Sequence, residues 1–307
     1  MSTLLTVILP FFALILCGWV GARRNLVSAA GITGLNGFVY WFALPAMLFL
    51  GLYSQPIETL FQPRFVLAYA LVGVVPFLAI LTLARGSLAE LTMQALASVY
   101  SNTGYMGIPL LVALLGREAT GPAVLIVVAD LVVSVPVTIA LMEATRGDSG
   151  SPLAALRQVA RGFIASPLLW SIVLGFAASA IRLRLPVAVD SFLHLIGSGA
   201  GPVALFAIGG SLAGRSLNAG LPRAVSITLV KLAVHPLMMA GCFLTLFHFG
   251  PVATKAAILA AALPTAGTVF VLAQQYATPT PWVSSAILLS TLAGVVTFSA
   301  SVWMLGV

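Results

Sequence analysis

Ser98-Val99-Tyr100-Ser101-Asn102-Thr103-Gly104-Tyr105-Met106-Gly107-Ile108-Pro109 sits in the middle of a long apolar run, yet it holds an Asn, a Thr, two glycines and a proline. Proline removes a backbone donor and its ring clashes with the preceding turn. Glycine weakens the same helix. Backbone groups released in this way cost several kcal/mol if they face lipid. Such a stretch is therefore tolerated where protein or a wet cavity surrounds it. Leu263-Pro264-Thr265-Ala266-Gly267-Thr268 repeats the pattern later in the chain. Broken helices present half-helix N-termini whose dipoles favour anions. Two of them meeting near a midplane make a site suited to a carboxylate. The plain alternative is a pair of proline kinks with small residues for close packing.

The rest of the chain says what surrounds these stretches. Of its 307 residues, 61% are hydrophobic and 7% charged, and the mean hydropathy is +1.13. A soluble domain carries roughly 25% charged residues, so most of this exterior is expected to face lipid. The net charge of +7 resides in short gaps between apolar runs. That is loop charge rather than a nucleic-acid patch. Cys17 and Cys242 lie in separate apolar runs and form neither a disulfide framework nor a metal motif. The first basic residues, Arg23 and Arg24, follow the first apolar run, so that run reads as a retained helix rather than a signal peptide.

Ten stretches approach the roughly 20 apolar residues of a spanning helix: 3–22, 31–53, 64–84, 88–115, 120–144, 164–181, 189–213, 224–247, 252–275 and 282–305. The loops after odd-numbered stretches carry Arg23, Arg24, Arg85, Arg146, Arg157, Arg161, Arg215 and Arg223. Those after even-numbered stretches carry Arg64, Arg117, Arg182, Arg184 and Lys255. Eight basic residues against five orient the odd loops to the cytoplasm and both termini outward. The gap from Thr145 to about Gly162 divides the chain into a first half, 1–145, a cytoplasmic linker, 146–163, and a second half, 164–307. Pro45-Ala46-Met47-Leu48-Phe49 and Pro202-Val203-Ala204-Leu205-Phe206 share Pro-x-x-Leu-Phe at equivalent places, and Asn102-Thr103-Gly104 matches Thr265-Ala266-Gly267. Five spans per half reverse the orientation between halves. The expected fold is therefore all-α, with ten transmembrane helices in two inverted five-helix repeats and helices four and nine broken. The helix breaks are assigned to Pro45, Gly107, Pro109, Pro202 and Gly267.

Two buried charges stand out. Lys231 and His235 share a face of the eighth stretch, with Pro236 following. Lys231 reads either as a substrate counter-charge or as a snorkelling or ion-paired residue. Asp130 lies centrally in the fifth stretch, with Ser134 and Thr138 on its face. It reads as a coupling-proton carrier, a cation ligand or a partner for Lys231. No phosphate loop, His-Glu-x-x-His or cysteine pair at metal spacing occurs. Gly199-Ala200-Gly201-Pro202-Val203-Ala204 fits a dinucleotide fingerprint in form but lacks a preceding strand. The reading is of a non-enzyme with no cofactor or metal.

Leu44-Pro45-Ala46-Met47-Leu48-Phe49, Asn102-Thr103-Gly104-Tyr105-Met106-Gly107-Ile108-Pro109-Leu110, Lys231-Leu232-Ala233-Val234-His235-Pro236 and Ala262-Leu263-Pro264-Thr265 together resemble the auxin efflux carrier family in its bacterial branch. The resemblance covers essentially the whole chain. It implies a fold similar to the bile-acid sodium symporters, in which helices four and nine also cross, with a scaffold of helices one, two, six and seven that often forms a homodimer. It also implies transport of a small mono- or dicarboxylate across the bacterial inner membrane, with periplasmic termini. Asn102 and Thr103 match the first crossover, and Pro264 and Thr265 the second. With Gly104, Lys231 and His235 these form the expected substrate site, and Asp130 the expected proton site. Coupling to a proton or to sodium is left open. Many relatives carry proline just before the Asn-Thr pair where this chain has Ser101, which implies a milder first break. The competing readings are a non-transporting sensor or structural membrane protein, and a sodium-coupled symporter of a larger organic anion.

Overall fold

Helices form wherever the apolar stretches run, because a chain in lipid must satisfy its backbone internally. The computed structural model describes residues 9–60, 62–145, 157, 160–161, 164–213, 220–278 and 280–307. Most of the expected 146–163 linker, together with Arg146, Arg215 and the first eight residues, lies outside them.

The helices are α1 (Leu9–Arg23), α2 (Ala29–Tyr53), α3 (Pro63–Leu83), α4a (Leu88–Val99), α4b (Thr103–Leu115), α5 (Arg117–Ala144), α6 (Pro167–Ala180), α7 (Val187–Leu212), α8 (Leu221–Thr245), α9a (Pro251–Ala261), α9b (Thr268–Gln275) and α10 (Pro281–Met304). Six of these are long and apolar enough to cross a membrane unaided: α2, α3, α5, α7, α8 and α10. The ten expected stretches are all helical, but they are not ten uninterrupted spans. The fourth and ninth are split, and α6, with 14 residues, is about 21 Å long against a hydrocarbon core of about 30 Å.

Four helices contain one widened π turn each: Val39–Ala43 in α2, Thr103–Gly107 in α4b, Asp130–Ser134 in α5 and Val230–Val234 in α8. Each ends two residues before a proline, respectively Pro45, Pro109, Pro136 and Pro236. The residue before each proline donates five residues back, as Ile108 does to Thr103 and His235 to Val230. The wider turn makes room for the ring that would otherwise strike the carbonyl one turn earlier. Pro45 thus widens α2 without interrupting it.

Packing separates two groups of helices. α1 lies on the C-terminal half of α7, and α6 on the C-terminal half of α2. These contacts are close because of glycine. A Cβ at Gly18 would run into the carbonyl oxygen of Phe206, and one at Gly209 into that of Ile15. A Cβ at Gly175 would stand 3.2 Å from the carbonyl oxygen of Phe49. The Gly18–Phe206 and Gly175–Phe49 contacts exchange with each other, since one offset of 157 residues relates Gly18 to Gly175, Phe49 to Phe206 and Pro45 to Pro202. The second group joins α3 to α4a, α8 to α9a and α10, and α5 to α9a.

At one end of the molecule Arg223 of α8 reaches Glu90 of α4a at 3.3 Å, the Arg85 carbonyl at 2.9 Å and the Trp282 ring of α10. All three connections that meet there follow odd-numbered stretches. Ser87 caps α4a at the same end, exchanging hydrogen bonds with Glu90.

Candidate functional site

The two interrupted stretches cross and pair. α4a ends at Val99 and the chain resumes helix at Thr103, whereas α9a ends at Ala261 and α9b starts at Thr268. Between them Ser101 and Thr265 form an antiparallel bridge. The Asn102 amide donates to the Pro264 carbonyl at 2.9 Å, and the Ala266 amide to the Tyr100 carbonyl at 3.1 Å. Backbone groups released from helix are thereby satisfied across the crossing. The first break is the shorter one, residues 100–102 against 262–267, and it is nonetheless complete without a proline at position 101.

The two breaks treat their side chains differently. Around the second, the Thr265 hydroxyl donates to the Ala97 carbonyl at 2.8 Å, and the Thr265 amide donates to the Ser290 hydroxyl at 3.1 Å. Lys231, 0% exposed, donates from Nζ to the Ala261 carbonyl at 2.6 Å. Its ammonium thus sits on the C-terminal end of α9a, where the helix dipole favours a cation. Lys231 does not snorkel, and no ion pair within 4.0 Å joins it to Asp130 among the described residues. Around the first break, the hydroxyls of Ser101 and Thr103 are buried without a hydrogen-bond partner. The Asn102 side chain between them is also buried.

Asp130 is 6% exposed and opens the π turn of α5, accepting a hydrogen bond from Ser134 at 3.1 Å. It lies close enough to feel the charge of Lys231. His235 is buried with both ring nitrogens unpaired, edge-on to Tyr69 at 6.5 Å. A Cβ at Gly107 would meet Leu263 at 2.6 Å, so this glycine allows the two interrupted stretches to approach. Gly104 and Gly267 have nothing within 4 Å of such a position, and close packing does not explain them.

A cavity of about 1050 Å³ lies between the two groups of helices. Met47 and Leu50 of α2 and Gly197, Gly201 and Pro202 of α7 form one wall, and Ile108, Pro109 and Val112 of α4b form the facing one. It also meets Gln55 of the connection after α2, Arg117 and Glu118 at the start of α5, and Asp190 and His194 in the N-terminal part of α7. Pro109 and Pro202 thus line the cavity, while Asn102, Thr103 and Thr265 are not among its lining residues; Thr103 precedes the lining residue Ile108 on α4b. The α4b π turn packs on α7, where a Cβ at Gly201 would stand 3.0 Å from Pro109.

Sequence reasoning missed Tyr69, Ser101 as a polar group, and Ser290. Tyr69 and Ser290 sit in uninterrupted helices and carry no local signal. The X-Pro step that follows each of the four widened turns, two of which hold Asp130 and Lys231, is the signal that could have located them. Among the described residues no group of three His, Cys, Asp or Glu is placed to hold a metal ion.

A helical membrane protein with paired discontinuous helices beside a central cavity has the plan of a carrier. The family described as Membrane transport protein matches residues 3–304, and the chain belongs to this family, that of the auxin efflux carriers. It is 33% identical to a protein of Rhizobium meliloti (strain 1021) named "Putative malonate transporter", over 99% of this chain and 97% of that one. It is 25% identical to "Uncharacterized transporter YfdV" of Escherichia coli (strain K12), over 97% and 95%. It is also 25% identical to "Auxin efflux carrier component 8" of Arabidopsis thaliana, over 87% and 88%.

Proposed function

We propose that the chain is an alternating-access carrier of small mono- or dicarboxylates in a bacterial inner membrane, with malonate the first substrate to try. The observation that carries this reading is the first break. There the buried Asn102 side chain and the buried, unpaired Thr103 hydroxyl stand at the start of α4b, the helix whose Ile108 and Pro109 line a cavity large enough for a small acid. A buried polar atom without a partner costs about 1–3 kcal/mol, and a ligand that supplies the partner recovers it. Asn102 and Thr103 would contact the carboxylate. The α4b N-terminus would add its dipole, and Lys231 would balance charge from behind the crossing. Pro264 and Thr265 form the second arm, Gly104 gives the substrate close access to backbone, and His235 lies beside the Lys231 end of the site. Asp130 would carry the coupling proton.

In this reading ten helices form two inverted repeats, a plan supported by the exchangeable Gly18–Phe206 and Gly175–Phe49 contacts and by the grouping of odd connections at one end. α1, α2, α6 and α7 form the scaffold and the contact surface of a homodimer, and the remaining helices move against it. The excess of basic residues in the odd connections supports a cytoplasmic position for them and outward termini, so in this reading the end of the cavity at Gln55 and Arg117 faces outward.

The test is malonate/malonate exchange by purified protein in liposomes. The expected result is saturable exchange that falls at least tenfold in Asn102→Ala. Exchange that is unchanged in Asn102→Ala would overturn the site.

A further inference from the structure

A second polar cluster adjoins the first break, and none of its residues lines the cavity. Tyr69 of α3 (3% exposed), Ser101 (2%) and His235 of α8 (1%) all carry buried polar atoms without a partner. The Tyr69 and Ser101 hydroxyls approach each other without closing a hydrogen bond of ordinary geometry. The Tyr69 ring stands edge-on to the imidazole. Four unpaired polar atoms from three elements converge here: the two hydroxyls and both ring nitrogens. Gly73, one turn from Tyr69, leaves room beside them, since a methyl added there would find only the His235 Nε2, at 3.9 Å, within 4 Å. Polar walls with room between them are what hold buried water, which needs two to four partners. Dry burial would leave each group uncompensated.

The geometry points to a water cluster held by Tyr69, Ser101 and His235 that passes the coupling proton to and from Asp130. This rests on the carrier reading above and adds the route for its proton. The groups facing the cluster are Asp130 of α5, Lys231 of α8 and Tyr100 of the break. A proton leaving the Asp130 carboxyl joins the water, and the water gives one of its own to a ring nitrogen of His235. Asp130 is left as the carboxylate, the imidazole becomes imidazolium, and no proton is gained or lost. Lys231, on the same helix face, opposes a lasting imidazolium, so the ring returns a proton to the water from its other nitrogen. The same ammonium disfavours a metal cation, which makes water the fitting occupant rather than sodium.

The chain has three histidines, and His194 and His248 are exposed, so histidine nitrogen-15 spectra of the full chain in bilayers are simple to assign with His235→Gln. Water-edited solid-state spectra are expected to show transfer from water to the His235 ring, reduced at least fivefold in Gly73→Ala and in Tyr69→Phe. Alanine suits a helix better than glycine, so the first variant is expected to fold. In liposomes Gly73→Ala should keep malonate exchange and lose at least tenfold of the accumulation driven by a pH gradient. No water transfer to His235 in the unaltered protein overturns the inference, whether or not malonate is transported. So does transfer abolished by added sodium, or gradient-driven accumulation unaffected by Gly73→Ala. Absence of malonate exchange in the unaltered protein counts against the carboxylate reading, and the spectra still decide the water site.

Discussion

The two breaks look alike in sequence and are unlike in structure. Each places small and polar residues in the middle of a membrane stretch, and each supplies one strand of the short bridge between Ser101 and Thr265. The second break is internally complete: its hydroxyl, its amide and the end of its first half-helix are bonded to Ala97, Ser290 and Lys231 respectively. The first pairs backbone with the second across the crossing and leaves the Ser101 and Thr103 hydroxyls unpaired. A repeat that duplicates a broken helix need not duplicate its task. In the proposed reading one break is a fixed support and the other is completed by a ligand.

That contrast can be broken experimentally. The largest effect is expected for Lys231→Met, which leaves the Ala261 carbonyl unpaired and removes a charge-assisted bond. It should cost about 2 kcal/mol of stability and abolish exchange, read by chemical denaturation and flux. Thr265→Val should lower stability by about 1 kcal/mol through the lost bond to Ala97, while the folded variant keeps its affinity for malonate. Thr103→Val should do the reverse, leaving stability nearly unchanged and weakening malonate binding about tenfold, or about 1.4 kcal/mol, as read by titration calorimetry. The smallest effect is expected for Glu90→Gln at the solvent-facing end, where loss of the partly exposed pair with Arg223 should cost under about 1 kcal/mol and fade with added salt.

Much of this arrangement was legible in the sequence, for identifiable reasons. Lipid forbids unsatisfied backbone, so Asn, Gly and Pro within an apolar run favoured a helix break covered by protein over a plain proline kink. The resemblance implied that the two runs cross, and the structure adds the pairing of Asn102 with Pro264. The 157-residue offset was present in Pro-x-x-Leu-Phe, and the structure adds its meaning, a glycine of the opposite half seated on each Phe carbonyl. The division of labour between the breaks was not legible, because it depends on Ser290 and Lys231 arriving from other helices. Thr103 and Thr265 are the same residue type in similar strings, and their hydroxyls differ only in whether a carbonyl stands within reach. Lys231 read equally well as a counter-charge, an interfacial residue or a partner of Asp130. Its bond to the end of α9a is a tertiary fact with no sequence period.

The most direct test of the contrast is the thermal stability of the purified protein with and without malonate, measured for the unaltered chain, Thr103→Val and Thr265→Val. A ligand that binds the folded state raises its stability by mass action. The account predicts that Thr103→Val melts like the unaltered protein and loses most of the malonate shift, whereas Thr265→Val melts lower and keeps it. The opposite pattern, or equal loss of the shift in both variants, would contradict the assignment of one break to the ligand and the other to support.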